Sequence, residues 1–291
     1  MFVVLGASGK TGGHTADALI KMGKRVRVVV RNPEKGLPWK ARGADVAVAD
    51  VDDAAALATT LRGAEGAYII VPRNFGVADV LESRERCIES LASAVNQSGI
   101  TNVVFMSSVG AQHRDGTGLI KSLNYAERRF AELEADIVFL RGSFFIENWD
   151  VDLEALRGGD VFNTFMRADH KIPQIATRDI GTIAADLLTH PRPGHHVLEC
   201  TGPDDYSPAE IAEAMGEVTG KAVRLQQWPA SAAAAALIRF GVPPPVAALI
   251  QEMYEGLDSE HVCLTSPQTV RRGSISARSA IAGMWQATQA I

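Results

Sequence analysis

A glycine-rich turn near the start of the chain constrains the fold more than any other feature. Residues 6–12 read Gly-Ala-Ser-Gly-Lys-Thr-Gly, directly after the apolar run at 2–5 and before an amphipathic segment. Glycine permits a sharp turn and lets backbone N–H groups approach a phosphate at a helix N-terminus. This strand-turn-helix context predicts a dinucleotide site, although a purely structural turn remains the alternative. The predicted contacts in the turn are Gly6, Ser8, Gly9, Lys10, Thr11 and Gly12.

The spacing of these glycines distinguishes a dinucleotide-binding turn from a nucleotide-binding P-loop. Gly-x-x-Gly-x-x-Gly differs from the commoner dinucleotide pattern Gly-x-Gly-x-x-Gly, so the spacing alone is weak evidence. Gly9-Lys10-Thr11 also resembles the end of a nucleotide-binding P-loop. That interpretation fails because the required leading glycine would fall at Val4.

Short apolar runs alternate with longer amphipathic runs through the first half of the chain. The clearest amphipathic run extends from Asp79 to Gln97 and is closed by Gly99. Continuously apolar strands joined by helices are typical of parallel sheets covered on both faces. The pattern predicts an α/β fold, a Rossmann-like doubly wound parallel sheet. The predicted strands are 2–5, 25–30, 45–49, 67–71, 102–107 and 137–140.

The alternation loosens after residue 150, which predicts a smaller, mainly helical C-terminal substrate domain. Asp179 is a candidate cap for a helix over 180–188, and Ser207-Pro208-Ala209-Glu210 forms a candidate capping box. We therefore expect a cofactor domain over 1–150 and a cover domain over 151–291. Residues 180–200 are a candidate return to the first domain's sheet.

Charge and cysteine content narrow the range of partners. The chain has 29 Lys and Arg against 34 Asp and Glu, a net charge of −5 that gives no sign of nucleic-acid binding. Three irregularly spaced cysteines indicate neither a disulfide framework nor a thiolate metal site. No apolar run approaches the roughly 20 residues that a membrane span needs. We expect a cytoplasmic protein with a small-molecule ligand, no metal and no membrane association.

Residues at the ends of the predicted strands extend the cofactor site. Arg31 stands where an NAD-selective protein usually carries an acid, so pairing of Arg31 with a 2′-phosphate favours NADP(H) over NAD(H). Lys35 either assists Arg31 or is an ordinary surface lysine. Asp50 is a candidate acceptor from the adenine amino group, or simply a turn aspartate. The remaining predicted cofactor contacts are Val51, Val71, Pro72 and Ser107.

Several later segments carry a family resemblance. Ser-Ser-Val-Gly-Ala at 107–111, Leu-Arg-Gly-Ser-Phe-Phe-Ile-Glu-Asn at 140–148 and Ile-Ala-Thr-Arg-Asp-Ile at 175–180 resemble the NmrA-like family of atypical short-chain dehydrogenases. The chain departs from the family pattern at Gly142, Ser143 and Ile146. The resemblance implies an NADP-binding Rossmann domain and a small domain that closes a substrate cleft. Members include NADPH-dependent quinone reductases, triphenylmethane-dye reductases and NADP(H) sensors without turnover.

The usual catalytic pair of short-chain dehydrogenases is absent from this sequence. None of the four tyrosines has a lysine four residues later. The position where many relatives carry a lysine or histidine, four residues before Glu127, holds Leu123. Ser107, Lys121 and Asn124 remain as catalytic candidates. Ser107 is alternatively a strand-end serine that bonds nearby backbone, and Lys121 an exposed helical lysine.

The missing proton donor favours one class of acceptor. Reducing an isolated ketone creates a basic alkoxide, whereas a quinone or dye delocalises the new charge. We therefore expect an NAD(P)H-dependent oxidoreductase that transfers hydride to a quinone-like or other conjugated small molecule. The alternative is a non-catalytic NADP(H)-sensing protein with a regulatory protein partner.

Aromatic residues after the sixth predicted strand suggest where an acceptor would bind. Phe144, Phe145 and Trp149 are candidates for an apolar substrate slot, and core packing explains them equally well. His113 is either a proton shuttle near neutral pH or an exposed loop histidine.

Overall fold

The computed structural model describes residues 1–73, 75–77, 79–266 and 268–289. The chain separates into two compact units that interleave along the sequence. The first unit contains Met1–Ser108, Ser122–Arg141 and Ile180–Leu198. The second contains Val109–Lys121, Gly142–Asp179 and Glu199–Ile291.

An eight-stranded sheet dominates the fold and confirms the predicted α/β class. The strands are β1 Phe2–Leu5, β2 Val26–Val30, β3 Asp45–Val48, β4 Gly66–Ile69, β5 Asn102–Ser108, β6 Asp136–Gly142, β10 His195–Thr201 and β13 Arg271–Arg272. Their order in the sheet is β13-β10-β6-β5-β4-β1-β2-β3. Parallel pairing joins β1 to both β2 and β4, as a doubly wound sheet requires.

Eleven helices occupy the described part of the chain. They are α1 Lys10–Lys21, α2 Leu37–Ala41, α3 Ala54–Leu61, α4 Val80–Ser98, α5 Lys121–Phe130, α6 Asp150–Ala155, α7 Thr177–Thr189, α8 Pro208–Thr219, α9 Ala233–Arg239, α10 Pro244–Asp258 and α11 Ala277–Gln289. Short 3-10 helices span Pro33–Gly36, Gly118–Ile120, Ile146–Trp149 and Ala230–Ala232.

The core of the first unit lies between the sheet and the helices α3, α4 and α5. Leu5 and Phe105 from the strands pack with Leu57, Leu91 and Phe130 from the three helices, all of them buried. Burial of these side chains is the main stabilising contribution, roughly 1.5 to 3 kcal/mol for each large apolar group. Helices α1 and α7 pack closely against each other: a Cβ on Gly181 of α7 would lie 2.5 Å from the backbone of His14 in α1.

The second unit contains two small sheets besides its helices. One joins β11 Asp205–Tyr206, β9 Ile172–Ile175 and β7 Phe144–Phe145, and the other pairs β12 Arg224–Gln227 with β8 Val161–Thr164. Helix α8 begins with the predicted capping box, in which Ser207 and Glu210 exchange hydrogen bonds and Pro208 occupies the first turn.

The predicted cap at Asp179 is wrong. Helix α7 begins at Thr177, two residues before Asp179, because Glu147 accepts hydrogen bonds from both the backbone N–H and the hydroxyl of Thr177. The carboxylate of Asp179 instead accepts the backbone N–H groups of Ser274 and Ile275, at 3.0 and 2.9 Å. A distant segment thus supplies the cap and frees Asp179 to anchor another loop.

Candidate functional site

The glycine-rich turn has the geometry that a diphosphate requires. Gly6 has a φ of +69°, and its carbonyl accepts the N–H of Gly9 at 2.9 Å. A Cβ on Gly12 would overlap the carbonyl of Gly6 and lie 2.6 Å from that of Leu5, so only glycine fits there. Gly9, which precedes α1, provides no side-chain cap. A helix N-terminus that follows such a turn is a common binding place for an anion, and the glycine-rich turn fits the phosphates of a dinucleotide.

The other predicted residues of the turn divide by exposure. Ser8, Gly9 and Lys10 are exposed, whereas Thr11 is buried and its carbonyl accepts the Thr15 hydroxyl at 2.9 Å. Exposed Ser8 and Lys10 are therefore placed at the surface of the turn, while Thr11 holds the first helical turn from inside.

Arg31 follows β2 immediately and is exposed, as is Lys35. Asn32 between them accepts the N–H of Glu34 at 2.9 Å and caps the 3-10 helix that begins at Pro33. The chain therefore turns away just after Arg31, which leaves Arg31 exposed at the carboxyl end of the strand. This is the position from which a cation contacts the ribose phosphate of NADP.

Asp50 lies exposed two residues after β3, and one of its oxygens accepts the N–H of Asp52 at 3.1 Å. This is the turn aspartate that the sequence offered as one alternative, and its second carboxylate oxygen leaves capacity for an adenine amino group. Val51 is half-buried and packs against the core of the first unit.

Val71 and Pro72 follow the end of β4, where Val71 is buried and Pro72 partly buried. The Pro72 carbonyl accepts a hydrogen bond from Nη1 of Arg84 at 3.3 Å. Arg84 reaches this carbonyl from α4, so a buried arginine lies beside one of the predicted cofactor contacts.

Ser107, near the end of β5, belongs to a buried polar network. Its hydroxyl donates to Oε1 of Glu127 at 2.6 Å. Glu127 also accepts from Nε and Nη2 of Arg141, at 2.9 and 2.6 Å, in a two-point ion pair. Exposure is 2% for Ser107, 9% for Glu127 and 8% for Arg141. The network joins β5, α5 and β6, and the Ser107 proton is held by a carboxylate.

Lys121 and Asn124 both lie on α5 and are partly buried. The ammonium of Lys121 forms a 2.9 Å ion pair with Glu252, within the second unit. Desolvation opposes ionisation of Glu252, but this hydrogen bond and charge contact lower its pKa overall. Lys121 is thus engaged by a carboxylate rather than simply solvated.

The predicted aromatic slot residues have different environments. Phe144 and Phe145 are half-buried, whereas Trp149 is only 3% exposed. The Trp149 ring lies 5.2 Å from the ring centroids of both Phe144 and Phe162, and its indole N–H donates to Gln174 at 2.9 Å. Trp149 thereby supports Phe144 from the interior of the second unit.

His113 is partly buried and stacks against His261, with ring centroids 3.9 Å apart. One ring nitrogen of His261 lies 3.0 Å from the carbonyl oxygen of Asp115. The described residues contain no cluster of three or more His, Cys, Asp or Glu placed to hold a metal ion. Within the same residues, no helix has the length and apolar character that crossing a membrane requires.

Sequence reasoning overlooked the roles of Glu127, Arg141 and Arg84, although a signal existed for the arginines. Arg141 directly follows four apolar residues of a buried strand. Arg84 falls four residues after Val80 and four before Ile88, so helical spacing places it on the buried face of α4. A cation at a buried position indicates either a paired carboxylate or a ligand.

Two protein families match this chain. The NAD(P)H-binding family matches residues 6–191, and the NmrA-like family matches residues 153–267. The chain is 25% identical over 254 residues to the NAD(P)H azoreductase of Xenophilus azovorans, covering 87% of this chain and 86% of that protein. It is also 25% identical over 256 residues to quinone oxidoreductase 2 of Escherichia coli, covering 87% and 86%.

Solved structures share the fold over nearly the whole chain. An NADPH complex of the NADPH-dependent quinone oxidoreductase of Escherichia coli superposes with a TM-score of 0.83 at 22% identity, covering 98% of this chain and 100% of that one. The NADP(H) complex of Citrobacter triphenylmethane reductase gives a TM-score of 0.80 at 17% identity, covering 98% and 100%. These likenesses confirm the Rossmann-like architecture, and the family match over residues 153–267 confirms the resemblance to NmrA-like proteins.

Proposed function

This chain belongs to the NAD(P)H-binding family, and on that premise we propose that it is an NADPH-dependent reductase of quinone-like or other conjugated small molecules. The observation that carries the proposal is the glycine-rich turn, in which Gly12, in the first turn of α1, packs against the Gly6 carbonyl. The cofactor supplies hydride when bound. The chain itself supplies binding and orientation, from which most of the rate in such a transfer derives.

Selectivity for NADPH is supported by Arg31. An arginine at the carboxyl end of β2 can form charge-assisted hydrogen bonds with a 2′-phosphate. No acidic residue takes the ribose-binding place immediately after β2, where Arg31 and Asn32 stand. Solved relatives described as complexes with NADPH and NADP(H) support the same preference.

The choice of a conjugated acceptor is supported by the absence of a Tyr-x-x-x-Lys pair from the sequence and by the ion pair of Lys121 with Glu252. Without a positioned acid, reduction favours acceptors whose own π-system carries the added charge. Relatives described as an azoreductase and a quinone oxidoreductase act on acceptors of this kind. Phe144 and Phe145, half-buried with Trp149 behind Phe144, are the residues proposed to contact a flat ring.

Ser107 takes a positioning role in this proposal. Because its proton goes to Glu127, the hydroxyl has lone pairs rather than a proton to offer to a neighbour. The Glu127–Arg141 ion pair fixes that orientation. Ser107 therefore maintains the shape of the site near the end of β5 and does not serve as its acid.

Steady-state oxidation of NADPH with a panel of quinones and azo dyes tests the reductase proposal. We expect turnover with several conjugated acceptors and none with isolated ketones such as cyclohexanone. The Gly12→Ala variant is the control, because it should lose activity together with NADPH binding. Tight NADPH binding without oxidation by any acceptor would lead us to abandon the reductase proposal.

That last outcome would favour the second candidate, a non-catalytic NADP(H) sensor with a regulatory protein partner. The observation in its favour is that Lys121, the best-placed cation on α5, is already neutralised by Glu252. A sensor would bind NADPH and NADP with distinct affinities and would pass the difference to a protein partner. Affinity capture with each form of the cofactor is the measurement that separates this candidate from a reductase.

A further inference from the structure

Arg84 occupies a position where a charged side chain is rarely found. It lies on the buried face of α4, in line with Val80, Cys87 and Ile88, and is only 8% exposed. Its Nε donates to the hydroxyl of Ser122 at 2.7 Å, and its Nη1 donates to the carbonyl of Pro72 at 3.3 Å. The guanidinium thereby links the end of β4 to the first turn of α5.

Neither partner of Arg84 carries a negative charge. Among the residues that the structure describes, no carboxylate forms an ion pair with Arg84, and its Nη2 has no hydrogen-bond acceptor. Burial lowers the Arg84 pKa to about 10, and the positive charge of Arg73 acts in the same direction. A buried cation without a counter-charge is costly, so an anion that reached it would be bound favourably.

The surroundings of Arg84 indicate which anion is at hand. Strand β4 pairs directly with β1, whose carboxyl end carries the glycine-rich turn. Asp50 and Asp52 follow β3 and Arg31 follows β2, and the charges of all three act on the pKa of Cys87, one helical turn beyond Arg84. Arg84 therefore lies among the residues proposed to bind the dinucleotide, whose phosphates are its only negative charges.

We propose that Arg84 binds a phosphate group of the cofactor through Nη2 while Ser122 and Pro72 hold its guanidinium in place. The inference rests on the proposed function in assuming a bound dinucleotide, and it adds a second cation to Arg31. Two phosphate sources share this chemistry, the 2′-phosphate and the diphosphate. A guanidinium is suited to either because its planar donors match two phosphate oxygens at once.

Isothermal titration calorimetry of the full chain with NADPH tests the inference. Arg84→Gln should lower the affinity for NADPH by about tenfold or more, which corresponds to a loss of about 1.4 kcal/mol in binding free energy. Arg86→Gln is the matched control, since Arg86 lies on the same helix, is exposed and pairs with the exposed Glu82. That control should leave NADPH affinity unchanged.

Further ligands identify the phosphate. If Arg84→Gln loses affinity for NADPH and 2′,5′-ADP but not for NADH, the contact is with the 2′-phosphate. A loss with NADPH, NADH and ADP-ribose alike assigns it to the diphosphate. Unchanged affinity for all four ligands in Arg84→Gln overturns the inference, and does so without affecting the reductase proposal if the variant still oxidises NADPH with quinones.

Salt dependence separates an electrostatic contact from a structural one. Screening weakens contacts between charges, so the wild-type affinity for NADPH should fall more steeply with salt than that of Arg84→Gln. Equal salt dependence with weakened binding would show that Arg84 acts only as a structural bridge, and would overturn the inference. If Arg84→Gln does not fold, Arg84→Met takes its place in both measurements, because it also removes the charge and keeps an unbranched side chain. The same losses are expected of Arg84→Met, and unchanged affinity for all four ligands or equal salt dependence would again overturn the inference.

Discussion

The hydroxyl of Ser107 donates a 2.6 Å hydrogen bond to Glu127, which is itself held by both a terminal and the ε nitrogen of Arg141. Three elements, β5, α5 and β6, meet in this network. A buried ion pair of this kind adds little net stability. Removing one partner is nevertheless costly, because the other charge stays buried without its counter-charge. The network consequently fixes where β5 ends.

We expect Glu127→Gln to destabilise the protein by about 3 kcal/mol, because the Arg141 charge would remain buried without its counter-charge. Urea unfolding at constant salt measures the effect. Glu132→Gln is the control, since Glu132 is exposed and its pair with Arg129 lies at the surface. That control should change the free energy of unfolding by less than about 1 kcal/mol.

The double variant Glu127→Leu with Arg141→Met tests the cause of that loss. Removing both charges eliminates the unpaired cation, so the double variant should be more stable than Glu127→Gln. If the double variant were the less stable of the two, the cost of Glu127→Gln would have to come from lost packing and not from unpaired charge.

Local sequence signals were sufficient for the Rossmann architecture and for the strand-turn-helix arrangement at the glycine-rich turn. Strand β1, the turn at Gly6 and helix α1 are contiguous, so their periodicity and glycine spacing contain the whole arrangement. The Ser107 network is assembled from positions 20 and 34 residues away, which no local pattern encodes. Asp179 failed as a cap for the same reason, because Glu147 reached the start of α7 from 30 residues away.

Arg31→Glu tests the choice between the two cofactors. The new carboxylate would repel a 2′-phosphate and accept a hydrogen bond from a ribose hydroxyl. The affinity for NADPH should therefore fall by about 30-fold, which corresponds to about 2 kcal/mol. NADH affinity should change by less than about threefold. Fluorescence titration of both cofactors measures the ratio.

Lys35→Glu is the control for Arg31→Glu, because it makes the same charge change at an exposed position four residues away. Its effect on NADPH should be much smaller than that of Arg31→Glu. Equal losses of NADPH and NADH in Arg31→Glu would contradict the assignment of Arg31 to the 2′-phosphate.

Asp152 should make stability depend on pH near neutrality. Burial, reinforced by the charge of Asp150, raises its pKa to about 7. The folded protein therefore favours the protonated form of Asp152. The stability that this protonation contributes is complete below pH 4 and is lost as the pH rises through 7. Tyr254 nearby has a pKa raised to about 12 by burial and stays neutral throughout.

Asp152→Asn removes that titration. Between pH 5 and 8 the free energy of unfolding of the wild type should fall by about 2 kcal/mol relative to that of the variant. Urea unfolding across this pH range measures the difference. Glu154→Gln on the same helix is the control, since Glu154 is exposed and pairs with Arg157. Parallel pH profiles for wild type and Asp152→Asn would contradict the raised pKa.

Two helical glycines should respond in opposite ways to the same substitution. Gly12→Ala forces a Cβ into the carbonyls of Gly6 and Leu5, which should cost about 1 to 3 kcal/mol of stability and weaken NADPH about tenfold or more. Gly283→Ala adds the same methyl group to α11, where among the described residues no atom outside the adjoining stretch of the helix lies within 4 Å of the new Cβ, and it should stabilise the protein by up to about 1 kcal/mol. Thermal unfolding and NADPH titration of both variants distinguish the two effects. If Gly12→Ala bound NADPH normally, the close packing of Gly12 on Gly6 would not be what shapes the phosphate site.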